Sequence, residues 1–78
     1  MMIEFYEVNW LGKPNGVIWG TYELLNVPQK GDGITLPDFQ KIDHYFRVIK
    51  HHYHPAENLV CVGLRLVGQG IAPNTVSS

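Results

Sequence analysis

Cysteine is almost absent from this chain, because Cys61 is the only one among 78 residues. No disulfide can therefore form within one chain, and a lone thiol is typical of a reducing compartment, so we expect a cytoplasmic protein. The first residues, MMIEFYEVNW, lack the basic region and the apolar run of a signal peptide. Apolar runs of roughly 18 residues, which a membrane span requires, are also missing.

Charge is scarce as well, since charged residues make up 17% of the chain and the net charge is −1. Nucleic-acid binding depends on the neutralisation of phosphates, so a generic nucleic-acid binder is not expected. The apolar content of 45% predicts one globular domain, which we assign to residues 1–67, followed by a polar tail over residues 68–78. A domain this small buries only about 60–65% of its unfolded surface, so a second copy would supplement its stability.

Aromatic and β-branched residues are abundant in this chain, and much of it shows period-two alternation. Both features favour strands over helices. The predicted strands cover residues 3–11, 16–26, 33–36, 45–54 and 59–67. Asn15-Gly16 is typical of a hairpin turn, and Gly20 within the second strand predicts a bulge. For residues 45–54 periodicity alone slightly favours a helix, so the predicted all-β fold class rests also on the resemblance described below.

The segment before Pro55 also supports a different structure. Apolar residues at spacings of three and four, as in an amphipathic helix, predict an α+β alternative with a helix near residues 38–53. Read as a strand, the same segment places Phe46 and Val48 opposite Ile49 and Tyr53. Either a bulge lies near Ile49 and Lys50, or both faces of the strand are covered, which would require a partner subunit.

A resemblance favours the strand. The stretch VPQKGDGITLPDFQKIDHYFRVIKHHYHPAENLVCVGLRL, residues 27–66, resembles a pattern found in small, mostly uncharacterised bacterial and phage proteins. The matching positions are Val27, Pro28, Gly31, Asp32, Ile34, Phe46, Arg47, Val48, His52, Val60, Val62 and Leu64. The resemblance implies a small SH3-like or otherwise strongly bent antiparallel β-barrel of about five strands, encoded by a phage or another mobile element. It implies no activity.

The run HYFRVIKHHYHP contains all four histidines of the chain, and three of them, His51, His52 and His54, lie shortly before Cys61. If the last two predicted strands form a hairpin with a four-residue loop, His54 lies opposite Leu59 and His52 lies opposite Cys61. His52, His54 and Cys61 would then share a face, which makes them candidate zinc ligands and makes a small metal-binding protein one alternative function. The spacing matches no established ligand motif, and we expect no cofactor.

A second set of residues predicts a partner-binding surface. Tyr45, Arg47, His51 and Tyr53 share strand parity, and Trp10 adds another large aromatic ring. Aromatic and arginine side chains are the usual anchors of protein interfaces, although stacking on such rings would also allow a single-stranded nucleic-acid binder. With its balanced charge, the chain is predicted to be a non-catalytic protein-binding or assembly module. An excess of large aromatic residues over the needs of one small core adds the expectation of a homodimer.

Overall fold

The computed structural model describes residues 1–69, which form five β-strands. They are β1 (Met2–Val8), β2 (Pro14–Glu23), β3 (Gly33–Pro37), β4 (Asp43–His54) and β5 (Leu59–Gln69). A 3-10 turn, Pro55–Glu57, joins β4 to β5, and no α-helix is present within residues 1–69. The all-β prediction is confirmed. β5 continues to Gln69, so Gly68 and Gln69, which the sequence assigned to a polar tail, belong to the sheet. The rest of that predicted tail, residues 70–78, lies outside the described residues.

The alternative of a helix near residues 38–53 is wrong, because the chain is a strand from Asp43 onward. β4 pairs with β5 along nearly its whole length and with β3 over residues 43–47, so within residues 1–69 the second half of β4 has a neighbour on one edge only. The strand suits the Tyr, Phe, Val and Ile content of the segment, because these residues favour a pleated, half-buried surface.

The strands form one sheet in the order β2-β1-β5-β4-β3, which is curled into a half-barrel. β1 and β5 are parallel, whereas the other three neighbouring pairs are antiparallel. The sheet is therefore mixed, and the expected antiparallel arrangement holds for all pairs except β1 with β5. The two outer strands, β2 and β3, are joined by residues 24–32.

The main core covers one face of the sheet, which we name the concave face. It consists of Ile3, Phe5, Leu36, Phe46, Val48, Val60, Val62 and Leu64. Each side chain of this kind contributes about 1.5–3 kcal/mol when it is fully removed from water. The predicted apolar face of β5 is confirmed for its first three members, whereas Leu66 is 38% exposed near the end of the strand.

The predicted bulge at Gly20 is confirmed. Phe5 pairs with Gly20 and Tyr6 pairs with Ile18, so Trp19 is an additional residue in β2. Gly20 adopts a φ of +119°, which a residue with a side chain rarely does. The bulge redirects Trp19 toward the concave face, where it packs against the core cluster.

The predicted bulge in β4 is confirmed too. Val48 pairs with Leu64 and Lys50 pairs with Gly63, so Ile49 is the additional residue. Beyond this point the parity of β4 is reversed, as expected when one residue is inserted into a strand whose side chains alternate. The opposite face of the sheet, which we name the convex face, is therefore lined by odd positions of β4 before Ile49 and by even positions after it.

Candidate binding surfaces

The four strand residues predicted to form a partner-binding surface do not lie together. Tyr45 and Arg47 precede the bulge and lie on the convex face, and the Arg47 guanidinium donates to the Gly31 carbonyl at 2.9 Å. His51 and Tyr53 follow the bulge and pair with residues of the concave face. The assumption of one shared face is wrong because it counted parity through Ile49 without a break.

The fifth residue of that set, Trp10, belongs to a different region. It lies in the β1–β2 turn and is 80% exposed. The Arg65 guanidinium reaches across from β5 to its carbonyl oxygen, with a distance of 3.4 Å. The turn therefore meets the final part of β5 at one end of the half-barrel.

We name this region the loop end. It comprises the turn at residues 9–13, the connection at residues 38–42 and the adjoining parts of the strands, since β1, β3 and β5 all run toward it. Within residues 1–69, eight of the twelve exposed large apolar side chains belong to it, and Phe39 is the most exposed of the eight, at 93%. They are Trp10 and Leu11 in the turn, Val17 and Ile18 on β2, Phe39 and Ile42 in the connection, and Leu66 and Val67 on β5. The exposed apolar surface is thus concentrated rather than scattered.

The candidate metal ligands lie where the hairpin register predicted. His54 pairs with Leu59 and His52 pairs with Cys61, and both histidines line a convex-face groove of about 320 Å³ together with Cys61. Glu4 of β1 pairs with Cys61 from the other side. Glu4, Cys61 and His52 therefore form a row across three neighbouring strands.

The chemistry of this row is that of a neutral thiol. The Cys61 thiol donates to Glu4 Oε1 at 3.7 Å, and burial together with the charge of Glu4 raises the pKa of Cys61. A raised pKa disfavours the thiolate, which is the form that attacks electrophiles and binds metals. Across residues 1–69, no group of three or more His, Cys, Asp or Glu side chains is arranged to hold a metal ion.

A polar network at the concave face was not predicted from the sequence. Trp19 Nε1 donates to Glu7 Oε1 at 2.9 Å, and Asn15 Nδ2 donates to Glu7 Oε2 at 2.8 Å. The Trp19 ring packs against Phe46 with ring centroids 4.9 Å apart. The available signal was the parity of Glu7 with Ile3 and Phe5, which places its carboxylate on the core side of β1.

A second network holds the β3–β4 connection. Asp38 Oδ1 accepts hydrogen bonds from the backbone N–H groups of Gln40 and Ile42, at 2.8 and 3.0 Å. Asp38 Oδ2 lies 2.9 Å from His44 Nε2, and the hydrogen bond with His44 is the largest cause of the lowered pKa of Asp38. The His44 ring in turn packs against Trp19, with centroids 4.9 Å apart. Both networks therefore meet at Trp19, beside the loop end.

The opening between β2 and β3, which we name the seam, has two free backbone edges within residues 1–69. On β2, Leu24 N–H donates to the Met1 carbonyl. Since hydrogen-bonded and non-bonded pairs alternate along an antiparallel ladder, Thr21 and Glu23 direct their backbone N–H and C=O groups away from β1. Both residues are exposed.

The β3 edge of the seam follows from the same alternation. Val48 N–H donates to the Asp32 carbonyl and Asp38 N–H donates to the Ile42 carbonyl, at opposite ends of the β3–β4 ladder. Gly33 and Thr35 therefore direct their backbone groups away from β4, and both are exposed. The seam encloses a groove of about 370 Å³ lined by Phe5, Tyr22, Leu24 and residues 33–37.

Searches against protein-family models, curated proteins and solved structures found no match to this chain. Within the described part of the chain, no helix has the length and apolarity needed to cross a membrane.

Proposed function

We propose that this protein is a non-catalytic protein-binding or assembly module that makes contact through its loop end. The observation that carries the proposal is the concentration of exposed apolar side chains there, led by Trp10 and Phe39. Apolar side chains in contact with water forgo the free energy that burial would provide, and a group of them at one end of a domain indicates an interaction site. Tryptophan is also among the residues that contribute most at protein interfaces.

The charge of the loop end favours protein over nucleic acid. Its basic residues are Lys13, Lys41 and Arg65, and its acidic residues are Glu7, Asp38 and Asp43, so the two signs are balanced at three each. A surface that binds phosphates needs an excess of positive charge. The aromatic and cationic residues that suggested single-stranded nucleic-acid binding are divided between two faces by the bulge at Ile49.

Catalysis and metal binding receive less support. The raised pKa of Cys61 and its hydrogen bond to Glu4 favour a thiol that neither attacks substrate nor binds a metal readily. A free thiol is compatible with the proposed cytoplasmic location. The proposed origin in a phage or another mobile element rests on the resemblance of residues 27–66.

The test is a comparison of baits in extracts of the native host. The wild type is compared with the double variant Trp10→Ser/Phe39→Ser, and retained proteins are identified by mass spectrometry. Leu25→Ser is the matched control, because Leu25 is fully exposed but lies in the β2–β3 connection at the opposite end. We expect specific proteins to be retained by the wild type and the control and lost from the double variant. Recovery of nucleic acid alone, or identical proteins with all three baits, would contradict the proposal.

A further inference from the structure

We infer that the seam binds one extended, uncharged peptide segment of a partner protein, which is added to the half-barrel as a strand between β2 and β3. The inference rests on the proposed protein-binding function and extends it, because it names a second surface and the form of its occupant. Strand addition of this kind takes its affinity from main-chain hydrogen bonds and its specificity from alternate side chains.

The backbone argument comes from both walls of the seam. Thr21 and Glu23 on β2, and Gly33 and Thr35 on β3, all direct their N–H and C=O groups into the opening. An occupant that satisfies donors and acceptors on both sides at the strand repeat needs an extended main chain. Because β2 and β3 run in opposite directions, one added strand would be antiparallel to one wall and parallel to the other.

The chemistry of the groove restricts the sequence of the segment. Among residues 1–69, its lining consists of apolar residues with Gly33, Thr35 and Tyr22 and includes no charged side chain. A charged side chain of the occupant would lose water there without gaining a partner, which is costly. Toward the loop end the opening continues into a second groove of about 450 Å³ that also contains Asp38 and His44, so this restriction applies to the part of the segment that faces Phe5 and Leu36. That part is uncharged and carries apolar side chains at alternate positions. The same lack of cations excludes a nucleic-acid strand from the seam.

The edges of β2 and β3 also limit which strands can pair with the seam. β3 has only five residues and ends at Pro37, and β2 begins at Pro14 and is bulged at Trp19. Short, bulged or proline-bounded edges resist uncontrolled pairing with other sheets. The groove of about 370 Å³ is near the lower limit for a ligand site, so it holds only a few side chains of one segment.

The experiment begins with a phage-displayed library of random peptides about ten residues long, selected on the wild type. Selected peptides are synthesised, and their binding is measured by fluorescence anisotropy and by amide spectra of isotopically labelled protein. The decisive variant is Thr35→Pro, which removes an N–H that points into the seam and spares the ladder to β4. Thr35→Val is the matched control, because it changes the side chain and keeps the N–H.

We expect uncharged peptides with alternating apolar residues that shift the amide signals of Thr21, Gly33 and Thr35. Thr35→Pro should weaken their binding about tenfold, the effect of roughly one lost hydrogen bond, whereas Thr35→Val should bind as the wild type does. Unchanged binding by Thr35→Pro, or the absence of any selected peptide that shifts these amides, would overturn the inference. Protection of the same amides by a rise in protein concentration alone would assign the seam to a second copy and overturn it too. Peptides that shift only the amide signals of Trp10 and Phe39 would overturn the inference about the seam, and they would support the proposed function of the loop end.

Discussion

Gly63 shows how a single hydrogen atom in place of a side chain determines the packing of the convex face. A Cβ atom at this position would lie 2.9 Å from Tyr6 Oη and 3.0 Å from Tyr6 Cζ, and 3.3 Å from Lys50 Cγ. Glycine is required at position 63 because of this close approach. Its backbone does not require glycine, since its φ lies outside the left-handed region. We expect Gly63→Ala to lower the free energy of unfolding by about 1–3 kcal/mol, as overpacking does, in urea denaturation.

The Tyr6 ring is the proposed obstacle, and a double-mutant cycle identifies it. In a Tyr6→Ala background the cost of Gly63→Ala should shrink, giving a coupling of about 0.5–3 kcal/mol between the two positions. Gly68→Ala is the control, because a Cβ there would make only an ordinary contact with Tyr45 at 4.0 Å. Equal costs of Gly63→Ala in the two backgrounds would show that the ring is not responsible.

Among the elements, the β3–β4 connection depends most directly on one ionised side chain. Asp38 accepts two backbone hydrogen bonds across the turn and one from His44, and these contacts lower its pKa below the ordinary value of 3.8. The folded state therefore holds this proton less tightly than the unfolded state does. The resulting stability is present above the ordinary pKa and is lost as the pH falls through the lower, folded value.

Asp38→Asn tests this dependence, since the amide keeps an acceptor oxygen but loses the charge. The free energy of unfolding, measured with urea at a series of pH values, should fall more steeply below pH 3.8 for the wild type than for the variant. Asp43→Asn, which changes an exposed carboxylate on the same hairpin, should keep the wild-type slope. Parallel curves for the wild type and Asp38→Asn would refute the assigned role of Asp38.

The strands and turns differ in how well their pairing could be predicted from the sequence. The hairpin register of His52 with Cys61 and the bulges at Gly20 and Ile49 were predicted, because each depends on local parity and a short turn. The parallel pairing of β1 with β5 was not predicted, since it joins residues far apart in the chain with no local signal. The Asp38–His44 contact was missed for a similar reason, because turn and strand positions become neighbours only after β3 and β4 have paired.

At the scale of the whole molecule, we propose that one of the proteins bound through the loop end is a second copy of the chain. A twofold axis there would bring the exposed Trp10 and Phe39 of each copy against apolar surface, and the balanced charges would permit complementary pairs. We expect sedimentation equilibrium at micromolar concentration to give twice the 8.9 kDa mass of one chain. Trp10→Ser/Phe39→Ser should return the mass to that of one chain.

The control for self-association is again Leu25→Ser, which removes an equally exposed apolar side chain from the opposite end. It should sediment as the wild type does, and circular dichroism should show that all variants keep a β-rich fold. A wild-type mass that stays at one chain would count decisively against the dimer.

The central position of β5 has a consequence for the order of events during synthesis. β5 is the middle strand of the sheet and also the last of the five to leave the ribosome, and it supplies Val60, Val62 and Leu64 to the core. Until it emerges, β1–β2 and β3–β4 are two separate hairpins with no strand between them, and isolated hairpins are marginally stable at best. The nascent chain should therefore gain its structure late and in one step, when β5 joins the two hairpins, with a rate limited by the closure of these distant contacts.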